Sequence, residues 1–143
     1  MRRRLGGLRG ERGAALVEFA LVVPFLMIIM CATIDFGLAA YMLNNLTGAV
    51  REGARFAATM STPPTANDNT VRDRVYTSIS VMNSTLTPAY VKGLIGNTAV
   101  DPNGNITVTI TGYPYYPMTP LAKLVFDSIP LNRKAIFRYE RAS

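Results

Sequence analysis

The sequence predicts an α+β fold: a long N-terminal transmembrane and stalk helix followed by a small head with an antiparallel sheet and short helices. Three features predict it. Residues 14–34 are an apolar run in which Glu18 is the only charge. From there to Met60, apolar and small residues recur at spacings of three and four. After a proline-containing break the pattern shortens, then changes to a period of two, with Ile106, Val108 and Ile110 alternating with Thr107, Thr109 and Thr111. A chain of 143 residues has room for a membrane helix and one small domain.

The first element is a basic leader, residues 1–13. Arg2, Arg3, Arg4, Arg9 and Arg12 stand there against Glu11, which accounts for +4 of the chain's +6. This cluster is expected to hold the N-terminus in the cytoplasm and to place the rest outside the inner membrane. The 21 residues of 14–34 rise about 30 Å as a helix, enough to cross a hydrocarbon core. A secretory signal fits poorly, because its apolar region is shorter and leads to a small-residue cleavage site. Cys31 is a poor lipoprotein site, since Met30 precedes it. The segment therefore reads as retained. An acid within it costs about 2.5–3.5 kcal/mol at the bilayer centre, which makes Glu18 a functional candidate unless it snorkels to the interface of a plain anchor.

The helix is expected over about residues 15–60. Pro24 removes one backbone bond and either bends the helix near Ala20 or is simply tolerated, as in many membrane helices. Asp35 closes the span about 26 Å beyond Glu18, where an interfacial acid fits. Beyond it Phe36, Ala39, Leu43, Leu46, Val50, Gly53, Ala57 and Met60 form a heptad-like seam, with Arg51, Glu52 and Arg55 off it. Gly48, Gly53, Ala54, Ala57 and Ala58 allow close approach of another backbone. The seam packs either on the protein's own head or on neighbouring helices. The inner half, with no head beside it, must face lipid or other helices.

Residues 61–69, with Pro63-Pro64, are a linker to a head spanning 70–143. Thr70-Val71-Arg72-Asp73 reads as a capping box opening a helix to about Met82, with Val71, Val75, Ile79 and Met82 inward and residues 83–88 ending it. An apolar stretch at 90–100 is then joined to the alternating strand by Asp101-Pro102-Asn103-Gly104, a type I turn. Tyr113-Pro114-Tyr115-Tyr116-Pro117 is expected to break the ladder. A short helix near 120–127 and a last strand near 133–139 follow. One sheet face should pack on helix and the other be wet.

Composition narrows the function. Outside the leader only +2 remains and no clustered basic patch is visible, so nucleic acid is not an expected partner. Cys31, the single cysteine, has no intramolecular partner and reads as a small buried hydrophobe. Histidine is absent, and Asp68, Asp73, Asp101, Asp127 and Glu140 are scattered. No glycine-rich phosphate loop occurs. Neither catalysis nor a metal or cofactor is expected. The threonine face and the tyrosines read as ordinary sheet surface and core.

The junction Arg12-Gly13-Ala14-Ala15-Leu16-Val17-Glu18-Phe19 resembles the processing site of type IV pilin-like precursors. Together with Ala20-Leu21, Asp35-Phe36-Gly37 and Arg51-Glu52-Gly53-Ala54-Arg55-Phe56-Ala57-Ala58, it resembles the TadE-like family of tight-adherence (Flp, type IVc) pseudopilins over about residues 12–60. Ala135-Ile136-Phe137-Arg138-Tyr139-Glu140 is similar to the way such chains end. The resemblance implies cleavage by a prepilin peptidase after Gly13, with Ala14 as the new N-terminus. It makes Glu18 the acid five residues into the mature chain and Phe19 its aromatic neighbour. The new α-amino group, with a pKa near 8, would be cationic and could pair with Glu18 of a neighbouring subunit in a filament core. Leu43, Leu46, Val50, Gly53 and Ala57 would pack the helix. The implied protein is a minor pilin or pseudopilin of the inner membrane. Its N-terminus would be cytoplasmic and its head outside, working with other pilin subunits, the inner-membrane assembly machinery and membrane lipid. Repetition of one heterologous contact along a screw axis would build the filament. Two rivals stand beside it. One is an uncleaved single-pass anchor whose head binds a periplasmic or cell-wall partner. The other is an enzymatic or ligand-binding head on a tether, which predicts a polar pocket.

Overall fold

The computed structural model describes residues 8–79 and 86–140, with side chains from residue 13 onward in the first helix. Most of the leader's arginines, Met82 and residues 83–85 of the expected helix end lie outside the described residues or side chains. The element order is α1 (Leu8–Ala58), α2 (Asn69–Ile79), α3 (Pro88–Leu94), β1 (Ile95–Asn97), β2 (Asn105–Tyr115), α4 (Pro120–Val125) and β3 (Ile129–Arg138). A long helix thus carries a small α+β head, as the sequence predicts.

Helix α1 has 51 residues and contains Pro24. It begins at Leu8, about two turns before the expected start. Leu8, Arg9, Glu11 and Arg12 are good helix formers, and Gly10 and Gly13 cost only about 1 kcal/mol each, too little to stop it. Its apolar residues change character along its length. Residues 13–34 are exposed apart from the half-buried Val23 and Cys31. Leu46, Ala49, Val50, Ala54, Ala57 and Ala58 are buried. The outer seam therefore packs on the protein's own head, which resolves the two alternatives the sequence left open. Phe36, the first residue of the expected seam, stays exposed.

Against that seam lie Val71, Val75 and Ile79 of α2 and Ile106, Val108, Ile110 and Tyr113 of β2, all essentially inaccessible to solvent. Each aliphatic side chain so buried contributes about 1.5–3 kcal/mol. At Gly53 α1 lies hard against α2, because a Cβ there would collide with a methyl of Val75. Helix α2 starts at Asn69, and its cap is Asp68 rather than Thr70. The Asp68 carboxylate accepts from the Thr70 backbone N–H at 2.8 Å, which holds that carboxyl below its usual range.

The three strands are antiparallel in the order β1-β2-β3. Ile106, Val108 and Ile110 face the helix as the alternation predicts, with Leu131 and Ala135 of β3 on the same face. Asp101 makes the expected turn. Its carbonyl accepts from Gly104 N–H at 2.9 Å, and its carboxylate accepts from the N–H groups of Asn103 and Asn105.

Three sequence expectations need correction. The apolar stretch at 90–100, expected as part of the sheet, is helix as far as Leu94, because Pro88 sits in the first turn of α3 with its φ already set and no N–H to satisfy. Only Ile95–Asn97 pairs with β2. The ladder also continues through Tyr113-Pro114-Tyr115. A register shift between Ile110 and Tyr113, with Gly112 at φ +72°, re-sets the pairing, and Pro114 then faces Pro130. Two residues without N–H groups are compatible with a non-hydrogen-bonded pair, and β1 has already ended at Ile110, so no third strand needs those donors. For the same reason β3 starts at Ile129, four residues before the expected Arg133.

The sheet lies lengthwise on the outer half of α1. Tyr115, at the start of the β2–β3 pairing, touches Asp35, and the other end is tied by Glu140 N–H to Ala58 O (3.1 Å) and Tyr139 OH to Met60 O (2.9 Å). Asp35 to Ala58 spans about 35 Å of helix, and the ten residues of β3 span about 33 Å. The equal lengths let one strand cover the outer half of the helix and leave the inner half bare.

Candidate functional site

The inner half of α1 carries the residues with the sharpest sequence signal. Gly13 lies in the second turn of the helix, with no atom near where a Cβ would stand. Ala14 and Glu18 are four residues apart and therefore stack on one helix face. Both are exposed, and Phe19 beside them is 66% exposed. The large side chains that follow, Leu21, Phe25, Leu26, Ile28 and Ile29, are at least half exposed. This surface is built to be covered by something other than the head.

The residues expected to pack the helix divide along it. Leu46, Val50, Gly53 and Ala57 are buried against the head, and Leu43 is half-buried at its edge. The motif around them is an internal docking surface. Glu52 accepts from Arg74 of α2 at 2.7 Å and from Arg55 at 3.3 Å, and Arg74 stacks over Phe56 at 5.8 Å. Those guanidinium groups, Arg74 first, hold the Glu52 carboxyl below its usual range.

Between the two halves sits a site that the sequence reading placed only as an interfacial acid. Asp35 is 7% exposed. One carboxylate oxygen accepts from Met118 N–H at 2.8 Å and Thr119 N–H at 3.3 Å, and the other accepts from the Thr119 hydroxyl. Tyr115 OH donates to the Asp35 backbone carbonyl at 3.0 Å. The Thr119 hydroxyl also accepts from Ala122 N–H, so one side chain caps α4 and binds the acid. The Thr119 hydroxyl chiefly, with the Met118 and Thr119 N–H groups, lowers the Asp35 pKa against the opposing effect of burial. The available signal was Thr119-Pro120, a cap residue followed by proline. Nothing in the spacing linked it to an acid 84 residues away.

Around this clasp, α4 and α1 border an apolar groove of about 360 Å³ that runs from Ile28, Cys31 and Ala32 past Asp35 to Ala39, with Leu121 and Phe126 on its other wall. Cys31 is half-buried at its wall rather than fully buried. Among the described residues no group of three or more histidine, cysteine or carboxylate side chains is placed to hold a metal.

A family model described as TadE-like protein matches residues 13–55. The match takes in the exposed segment from Gly13, Asp35 itself and most of the packing seam, and it stops short of the head, where the partners of Asp35 lie. No curated protein and no solved structure matches the chain.

Proposed function

We propose, from the TadE-like match over residues 13–55 and a helix long and apolar enough to cross a membrane, that the chain is a single-pass, membrane-anchored protein of a tight-adherence pilus, and within it a minor pilin or pseudopilin cut after Gly13 by a prepilin peptidase. In this reading residues 1–13 are the leader, 14–60 the membrane and stalk helix, 61–69 a linker, and 70–143 the exported head. The leader's arginines keep the N-terminus in the cytoplasm, so the head stands outside the inner membrane. Its work is assembly, initiation or adhesion, in contact with other pilin subunits and the inner-membrane assembly machinery.

The observation that carries this reading is the contrast within one helix. The outer half is satisfied by its own head, whereas residues 13–34 present large apolar side chains and one acid to the outside. Lipid can cover those side chains but leaves Glu18 costly. Cleavage supplies the missing partner, an α-amino group on Ala14. Amine and carboxylate share a face, so a small axial offset between subunits brings one subunit's amine to the next one's Glu18. Gly10 and Gly13 weaken the helix by about 1 kcal/mol each, which eases the local unwinding a peptidase needs.

One observation favours the uncleaved anchor instead: α1 runs without interruption from Leu8 through Gly13. Mass spectrometry of the N-terminus from membranes with and without the peptidase separates the two. A peptide starting at Ala14 only with the peptidase, lost in Gly13→Leu, is the expected outcome. An intact leader in both membranes would leave the anchor.

A further inference from the structure

Helix α4 is amphipathic in an unusual sense, because most of its apolar residues face outward. Leu124 is 85% and Val125 70% exposed, and Leu121, Phe126 and the preceding Met118 are exposed too. On a small head that buries Val71, Val75 and Ile106 completely, such a cluster is not left to water.

The fold states at what height this cluster stands. The Asp35 carboxylate grips Met118 and Thr119, which fixes the start of α4 at the level of Asp35. From there α4 lies along α1, against a groove whose wall on α1 extends from Ile28 to Ala39. Leu121 and Phe126 share one groove with Ile28, Cys31 and Ala32 of α1. Ile28 lies seven residues, about 10 Å, on the membrane side of Asp35. The groove runs on past Asp35 to Phe36 and Ala39; if residues 14–34 fill a hydrocarbon core of about 30 Å, its inner end lies in the outer third of that core. A helix held beside Ile28 and Cys31 cannot stand clear of the bilayer that contains them. Its side chains match that depth. Lys123 is the only charge within α4, on a stem long enough to reach the headgroups while the neighbouring leucines stay below.

We propose that α4 is an interfacial foot, bedded in the outer leaflet of the membrane, with phospholipid acyl chains covering Leu121, Leu124, Val125 and Phe126 and filling the groove against α1. The occupant is lipid rather than a second copy of the chain because this surface is continuous with the span and at its depth. The inference rests on the membrane-span reading. Asp35 is then the clasp that sets the foot's depth, and the head is held against the bilayer rather than swinging free on its stalk.

The chain has no tryptophan, so one substitution gives a unique depth reporter. The full chain carrying Leu124→Trp is reconstituted at high lipid excess in phosphatidylcholine vesicles brominated along the acyl chains. Ile34→Trp marks the span, and Ser61→Trp, exposed past the far end of α1, marks the aqueous side. Leu124→Trp and Ile34→Trp are each expected to lose about half their emission, and Ser61→Trp is expected to keep its own. Quenching of Ile34→Trp alone would overturn the foot while leaving the span, and would assign the α4 face to water or to a second copy. Quenching of neither would overturn the span reading and the foot with it. Equal quenching of Ser61→Trp would overturn the foot as well, because the whole head would then be lying on the membrane.

Discussion

The two halves of α1 are both apolar and belong to one unbroken helix, yet they solve opposite problems. The inner half uses large side chains, Leu16, Phe19, Phe25, Ile28 and Ile29, and leaves them exposed. The outer half buries mostly small ones, Ala49, Gly53, Ala54, Ala57 and Ala58, around the two larger anchors Leu46 and Val50. Small residues let a sheet and a second helix lie close to the backbone, which suits a fixed partner of the same chain. Large ones offer area to whatever arrives, lipid or another helix. The share of small residues at the buried positions of a continuous helix therefore marks where its private contacts are closest.

Two glycines in the outer half test that distinction most directly. Gly53 faces Val75 with no room for a Cβ, whereas Gly48, about a turn and a half away, has nothing within 4 Å. Gly53→Leu is expected to destabilise the head by about 3 kcal/mol or more, through overpacking of the α1–α2 contact. Gly48→Leu should be neutral or stabilising by up to about 1 kcal/mol, since an exposed helical glycine is replaced by a better helix former. Denaturant unfolding of the full chain in detergent, followed by near-ultraviolet circular dichroism, measures both. Equal effects would mean that the seam is not docked on the head as described.

That contrast also marks how far the sequence could be read. The period of three and four identified the seam, and the period of two identified the inward face Ile106, Val108 and Ile110. Both are local patterns imposed by one buried face. The choice between head and neighbour as the seam's partner was not legible, because a stripe of small residues fits either. The start of α3 was misread because Tyr90 and Val91 suit a strand as well as a helix, and Pro88 decided the matter from outside the apolar run. Pro114 was misread because its pairing with Pro130 depends on a register set by Gly112. The junction at Gly13, with Glu18 and Phe19, was legible as a motif and is placed by the fold on an open face. The Asp35 clasp joins residues more than 80 positions apart, and no periodicity carries such a link.

The clasp is where the two halves meet, and loosening it should have a smaller, local effect. Asp35→Asn keeps the shape but removes the charge and replaces one accepting oxygen by an NH2, so either the Met118 and Thr119 N–H groups or the Thr119 hydroxyl proton loses its acceptor. Backbone hydrogen exchange at Met118, Thr119, Leu121 and Ala122 is expected to rise several-fold, with α2 and the sheet unchanged. Because folding lowers the Asp35 pKa, its contribution is fully present above the unfolded carboxylate value of about 3.9 and is lost as pH falls through the lower folded value. Wild-type protection of this loop should therefore be flat from neutral pH down to about 4 and decline below it, while Asp35→Asn shows no such decline. A decline beginning near neutral pH would point to some other group.

The smallest effect is expected from the most conspicuous charges of the outer half. Glu52 joins α1 to α2 through Arg74 and also meets Arg55, and its lowered pKa reflects both partners. The Arg55 and Arg74 side chains remain more than half exposed. Pairs of that kind gain little over hydration and are screened by salt. Arg74 has a second contact that does not involve the carboxylate, the Phe56 ring 5.8 Å away. Glu52→Gln should thus lower the Tm by at most about 2 °C at low salt, and by less at high salt. A drop as large as that of Gly53→Leu would shift the explanation of the outer half from close packing to charge. The size of the residues along α1 would then no longer be what distinguishes its two halves.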